Sequence, residues 1–128
     1  MALPAPVGPD LIASITAPTY TVTNGAITSA TLTTSATTAG QIVDSVAIAT
    51  ARTVKYLVSV TSGTSYQCSE IILIHDGTTA YISEYGTILT GSSLATFDAS
   101  IVSSNLQLLV TPTNAVTTIK VIRTIVNV

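Results

Sequence analysis

The stretch "TVKYLVSVTS", residues 53–62, sets Val54, Tyr56, Val58 and Val60 against Lys55, Leu57, Ser59 and Thr61. An apolar period of two is the signature of a half-buried β-strand, because successive side chains point to opposite faces. The rest of the chain uses the same alphabet. Valine, isoleucine and threonine dominate it; such residues are stiff at χ1 in a helix and pack well on a pleated surface. No segment carries a convincing 3.6-residue stripe, and there is no internal repeat. The expectation is an all-β fold, an antiparallel β-sandwich or an open barrel.

Turn residues cut this material into strands. Asn24-Gly25 in "YTVTNGAITSATLTT" predicts a type I′ hairpin with strands near 19–23 and 26–34. "SATTAGQIVDSVAIATAR" reads as a connector. After residue 50, "SGT" at 62–64, "DG" at 76–77, "TGSS" and "SSN" separate six further strands, the last running through "TTIKVIRTIVNV". With a two-residue turn at Asp76-Gly77, Ile71, Leu73, Ala80 and Ile82 share one face while Ile72, Ile74 and Tyr81 share the other. A three-residue His-Asp-Gly turn with a bulge shifts the partners but leaves both faces apolar. A hairpin apolar on both faces is covered on both sides. The domain core supplies one cover; a neighbouring subunit or the docked N-terminal arm supplies the other.

Residues 1–19 form that arm, and residues 20–128 form the β-sandwich domain. The arm holds Pro4, Pro6, Pro9 and Pro18. Proline has no N–H and drives its predecessor to extended geometry, so the segment reads as polyproline-like, reaching roughly 50–60 Å if fully extended. Leu3, Val7, Leu11, Ile12 and Ile15 are its partner-binding candidates.

Charged residues make up only 8% of the chain and the net charge is −2. Threonine and serine, about 30% of the residues by count, must therefore supply the polar surface. Low charge with abundant apolar area promotes association, so the chain is expected to be covered by copies of itself or by a larger assembly. Four basic residues cannot neutralise a row of phosphates, so no nucleic-acid partner is expected. The longest aliphatic run, Ile71 to Ile74, is too short to span a bilayer, and "MALPAPVGPD" has no signal-peptide pattern. The single cysteine, Cys68, closes no internal disulfide and reads as a small buried hydrophobe; no metal or cofactor is expected.

The polar candidates concentrate in "SEIILIHDGTTAYISEYGTIL", residues 69–89. His75 precedes a turn and lacks a recognisable nucleophile setting, so it reads as a turn corner whose replacement leaves the fold nearly intact. Glu70 and Glu84 could be paired carboxylates of a glycosidase, but they are expected to be ion-pair partners of Arg52, Lys55, Lys120 or Arg123. No catalytic residue and no small-molecule substrate are expected.

The run "YLVSVTSGTSYQCSEIILIHDGTTAYISEYGTILTGSSLATFDASI", with "LQLLVTP" and "TTIKVIRTIV" after it, resembles a module of virion structural proteins of tailed phages, especially those of cyanobacteria. The likeness spans about residues 41–126. It implies a non-enzymatic part of the particle, assembled in the host cytoplasm, whose partners are further copies of itself and the major capsid protein or another virion protein. It carries over no functional residues and leaves open capsid decoration, neck or collar, baseplate and tail fibre. A short single module with an arm, lacking a shaft, favours a capsid decoration or cement protein. A host-surface glycan-binding adhesin is the more distant alternative.

Overall fold

A computed structural model describes residues 17–128. They form nine strands: β1 (Thr19–Val22), β2 (Gly25–Thr33), β3 (Gln41–Ala47), β4 (Ala51–Ser62), β5 (Ser65–His75), β6 (Ala80–Leu89), β7 (Ala95–Val102), β8 (Asn105–Pro112) and β9 (Thr118–Asn127). Two antiparallel sheets stack as a sandwich. The larger has the order β1-β2-β9-β4-β5-β6, and the smaller has the order β3-β8-β7. The barrel alternative is thereby set aside. The chain starts in the large sheet, crosses to the small one at β3, and returns for the β4-β5-β6 meander. It then crosses again for β7-β8, and β9 comes home between β2 and β4.

The alternation in β4 decides the layering. Val54, Tyr56, Val58 and Val60 are buried, and their cross-strand partners Leu73, Ile71, Val121 and Ile119 are buried with them. Leu106, Leu108 and Val110 of β8 close the core from the small sheet. A three-stranded layer cannot cover six strands. β6 is accordingly exposed along nearly its whole length, and Ile82 and Glu84 lie on the core side of the large sheet without cover.

Three local expectations give way to different geometry. The stretch read as a connector contains β3. Its alternation is broken by a β-bulge between Ile42 and Asp44, which turns Val43, Asp44 and Val46 toward the core and hides the period-two signal. In the first hairpin Val22 pairs with Gly25, so the turn residues are Thr23 and Asn24, and neither Asn24 nor Gly25 has a positive φ. Gly25 serves close approach instead: a Cβ there would overlap the Ile125 carbonyl on β9. The central hairpin closes through residues 76–79, with His75 paired to Ala80, in place of the shorter Asp-Gly turn. That lengthening preserves parity, so Ile71, Leu73, Ala80 and Ile82 still share one face, and Ile72, Ile74 and Tyr81 the other.

Candidate functional site

Two features could carry function: a set of buried polar side chains between the layers, and the outer face of the large sheet. The buried set is built around Asp44. The β3 bulge places its carboxylate on the core side, opposite Leu108. The Tyr56 hydroxyl from β4 donates to Asp44 Oδ2 at 2.7 Å, and Arg123 Nη1 from β9 donates to the same oxygen at 2.9 Å. Tyr56 and Arg123 are direct cross-strand partners on the large sheet, so one carboxylate from the small sheet ties two adjacent strands beneath it. Burial pushes the Tyr56 hydroxyl far above the ordinary tyrosine range; the adjacent carboxylate acts the same way, while the Arg123 guanidinium opposes it. Arg123 Nε is buried without a partner. The Tyr56 hydroxyl and Arg123 Nη1 are both spent on Asp44 Oδ2, and Tyr56 is fully buried. It is a latch between the layers.

His75 is not an exposed corner. The side chain is 3% exposed, and both ring nitrogens are used on backbone. Nδ1 accepts from Gly77 N–H at 3.0 Å, which leaves Nε2 to donate to the Ala51 carbonyl at 2.6 Å. Arg52 Nη1 donates to the His75 carbonyl at 3.0 Å. The imidazole therefore pins the tip of the β5-β6 hairpin to the start of β4. Replacing His75 with Ala removes the partner of a buried carbonyl and is expected to cost about 1–3 kcal/mol, read as a lowered urea midpoint. A merely exposed corner would leave that midpoint unchanged.

Asp76 organises the turn. Its Oδ1 accepts from Thr78 N–H at 3.0 Å, Thr79 N–H at 2.8 Å and the Thr78 hydroxyl at 3.0 Å, and its Oδ2 accepts from the Tyr81 hydroxyl at 3.2 Å. These donors, the Thr78 backbone first, hold its carboxyl down at about 2. Glu70 pairs with Lys55 at 3.5 Å, as expected of it, but on an exposed surface where such a pair contributes little. Glu84 has no ion pair among the described residues, and Arg123 is engaged by Asp44. Glu70 and Glu84 sit on opposite faces of the sheet, since Glu84 pairs with the inward Ile71 and Glu70 with the outward Tyr85. Two carboxylates separated by a sheet cannot flank one glycosidic bond. Among the described residues no three histidine, cysteine or acidic side chains are grouped as metal ligands.

The outer face of the large sheet is a different matter. It presents Ile27, Leu57, Ile74, Tyr81, Ile88 and Ile122, all exposed, with Cys68 half-buried among them instead of in the core. Its only charged residues are Lys55, Glu70 and Lys120. Monomeric soluble proteins rarely expose large contiguous apolar patches. Leu3, Val7, Leu11, Ile12 and Ile15, the arm candidates, lie outside the described residues.

No protein-family profile matches the chain, and no curated protein matches it. Among solved structures it is similar to the tailspike protein of Acinetobacter phage vB_ApiP_P1, with a TM-score of 0.47 and 21% identity over 77% of this chain. The match covers 21% of that protein, so the chain spans about a fifth of its length.

Proposed function

We propose that the chain is a non-enzymatic structural component of a tailed-phage virion, and within it a decoration or cement protein that bridges capsomers on the head. The observation that carries the reading is the uncovered apolar face of the large sheet on a molecule with almost no charge to keep it apart from neighbours. The motif run from "YLVSVTSG" to "TTIKVIRTIV" supplies the virion context. The non-enzymatic part is supported by His75, whose ring is occupied by backbone, and by the separation of Glu70 from Glu84.

A standard interface buries roughly 1,600 Å² in total, and modest contacts repeated over a lattice accumulate through multivalency. Quantifying this chain in purified particles tests the location. Hundreds of copies are expected for a capsid component; six to eighteen would move it to the neck or baseplate. Deleting residues 1–19 is expected to abolish occupancy on purified capsids while the β-domain keeps its circular dichroism. Full occupancy without them would remove the arm from the binding mechanism. Specific binding of the isolated chain on a glycan array would favour an adhesin instead.

A further inference from the structure

We propose that β6 is the seam of a two-fold dimer, in which the free edges of two copies pair antiparallel about Ser83 and join the two large sheets into one. This is independent of the virion reading, and the mass of the purified chain in solution tests it without particles. The first support is the edge itself. β6 ends the large sheet on the side away from β1, is ten residues long and is exposed from Tyr81 onward. It contains no lysine, arginine or proline, residues with which proteins commonly blunt such an edge. The opposite edge, β1, has only four residues.

The second support is where the free backbone groups point. The Asp76 N–H donates to the Thr79 carbonyl at 3.2 Å at the hairpin tip, and the Thr90 N–H donates to the Tyr66 carbonyl at 3.0 Å at the far end. Alternation from either bond gives the same result. Tyr81, Ser83 and Tyr85 exchange hydrogen bonds with β5, so Ile82 and Glu84 turn their N–H and C=O groups outward. In an antiparallel pair centred on Ser83, Ile82 of one copy lies opposite Glu84 of the second, and these free groups bond each other on both sides of the axis. The irregularity at Gly86, whose φ is 66°, ends the ladder.

The third support is the choice of centre. A two-fold axis normal to the sheet keeps each face on its own side, so it passes through a residue and not between two. Within "YISEY", Tyr81 and Tyr85 stand at equal distances from Ser83 on the outer face, and both are exposed. Centring on Ser83 sets Tyr81 of each copy beside Tyr85 of the other. These are non-hydrogen-bonded pairs, where side chains approach most closely, and the small serine takes the axis. Centring on Glu84 would set two carboxylates against each other, and centring on Ile82 would set Tyr81 against Ser83. This self-matching order makes the occupant a second copy and not a foreign strand.

Sedimentation equilibrium of the full chain should give twice the chain mass. Ile82→Pro should give the chain mass with an unchanged circular dichroism spectrum, since only an outward N–H is removed. Disulfide trapping in a Cys68→Ser background reads the register. Ser83→Cys should form a linked dimer on mild oxidation, because facing Cα atoms in such a pair are about 4.5 Å apart. Tyr81→Cys should link at least about tenfold less, its own copy lying about 13 Å along the strand at ~3.3 Å per residue. Mixing Tyr81→Cys with Tyr85→Cys should restore linkage. A monomeric parent would overturn the proposal. So would a dimer that persists in Ile82→Pro, because its contact would then lie on another surface. Failure of Ser83→Cys to link would overturn it as well, whatever Ile82→Pro does to the fold. Equal linkage in Ser83→Cys and Tyr81→Cys would overturn the register.

Discussion

Replacing Asp44 with Ala is expected to remove about 3–5 kcal/mol of stability, enough to unfold a domain whose total is of order 5–15 kcal/mol. The loss comes from what is left behind. Without the carboxylate, the Arg123 guanidinium and the Tyr56 hydroxyl stay between the sheets with nothing to bond. Replacing all three by apolar residues of similar size, Asp44→Leu/Tyr56→Phe/Arg123→Met, should instead be near neutral or stabilising, because the cost of desolvating the charges goes with them. Urea unfolding of the three proteins, parent included, separates these outcomes. A single-variant loss below about 1 kcal/mol would mean that the latch carries no strain of unpaired charge. The same latch gives a pH signature. The Tyr56 hydroxyl is raised in the fold, so its contribution is complete below the unfolded tyrosine value of about 10 and is lost as pH rises above it. Tyr56→Phe should flatten stability between about pH 10 and 12 relative to the parent.

Most of the strands were legible in the sequence, and the reason is local. Strands β8 and β9, and β4 from Val54 to Val60, alternate between buried and more exposed positions, so each residue's face follows from its neighbours. The burial of Val54, Tyr56, Val58 and Val60 is written in the lysine, leucine, serine and threonine between them. What the sequence concealed has a common cause: an inserted residue or an altered turn that local pattern cannot register. The β3 bulge disguised a strand and with it Asp44, the one acidic residue delivered to the core. Gly25 announced a left-handed turn, yet it is needed for its missing Cβ against Ile125, a partner a hundred residues away. His75 was legible as turn-adjacent but not as buried, because its acceptor, Ala51 O, is set by a tertiary contact. The outer face was legible in part. Ile72, Ile74 and Tyr81 signalled a second apolar surface, but its continuation through Ile122 and Ile27 depends on β9 sitting between β2 and β4.

Leu108→Ala should cost about 3–5 kcal/mol, while Leu109→Ala, one residue along the same strand, should cost no more than about 1 kcal/mol. β8 is the middle strand of the small sheet, and its burial alternates through its whole length. Leu108 faces the large sheet with no exposure, between Leu106 and Val110, and opposite the bulged stretch of β3. Cutting it to alanine opens a cavity in a layer already held by only three strands, and both its neighbouring strands are edges that can relax little without losing pairing. Leu109 points outward opposite Asp98, where water takes the vacated space. The comparison tests register, because slipping β8 by one residue exchanges the two leucines between core and solvent and reverses the two losses. It also bears on Asp44, whose position opposite Leu108 depends on the same pairing. Equal losses at the two positions would show that the small sheet is covered on both sides, and the large sheet's outer face would no longer be the distinctive docking surface of the molecule.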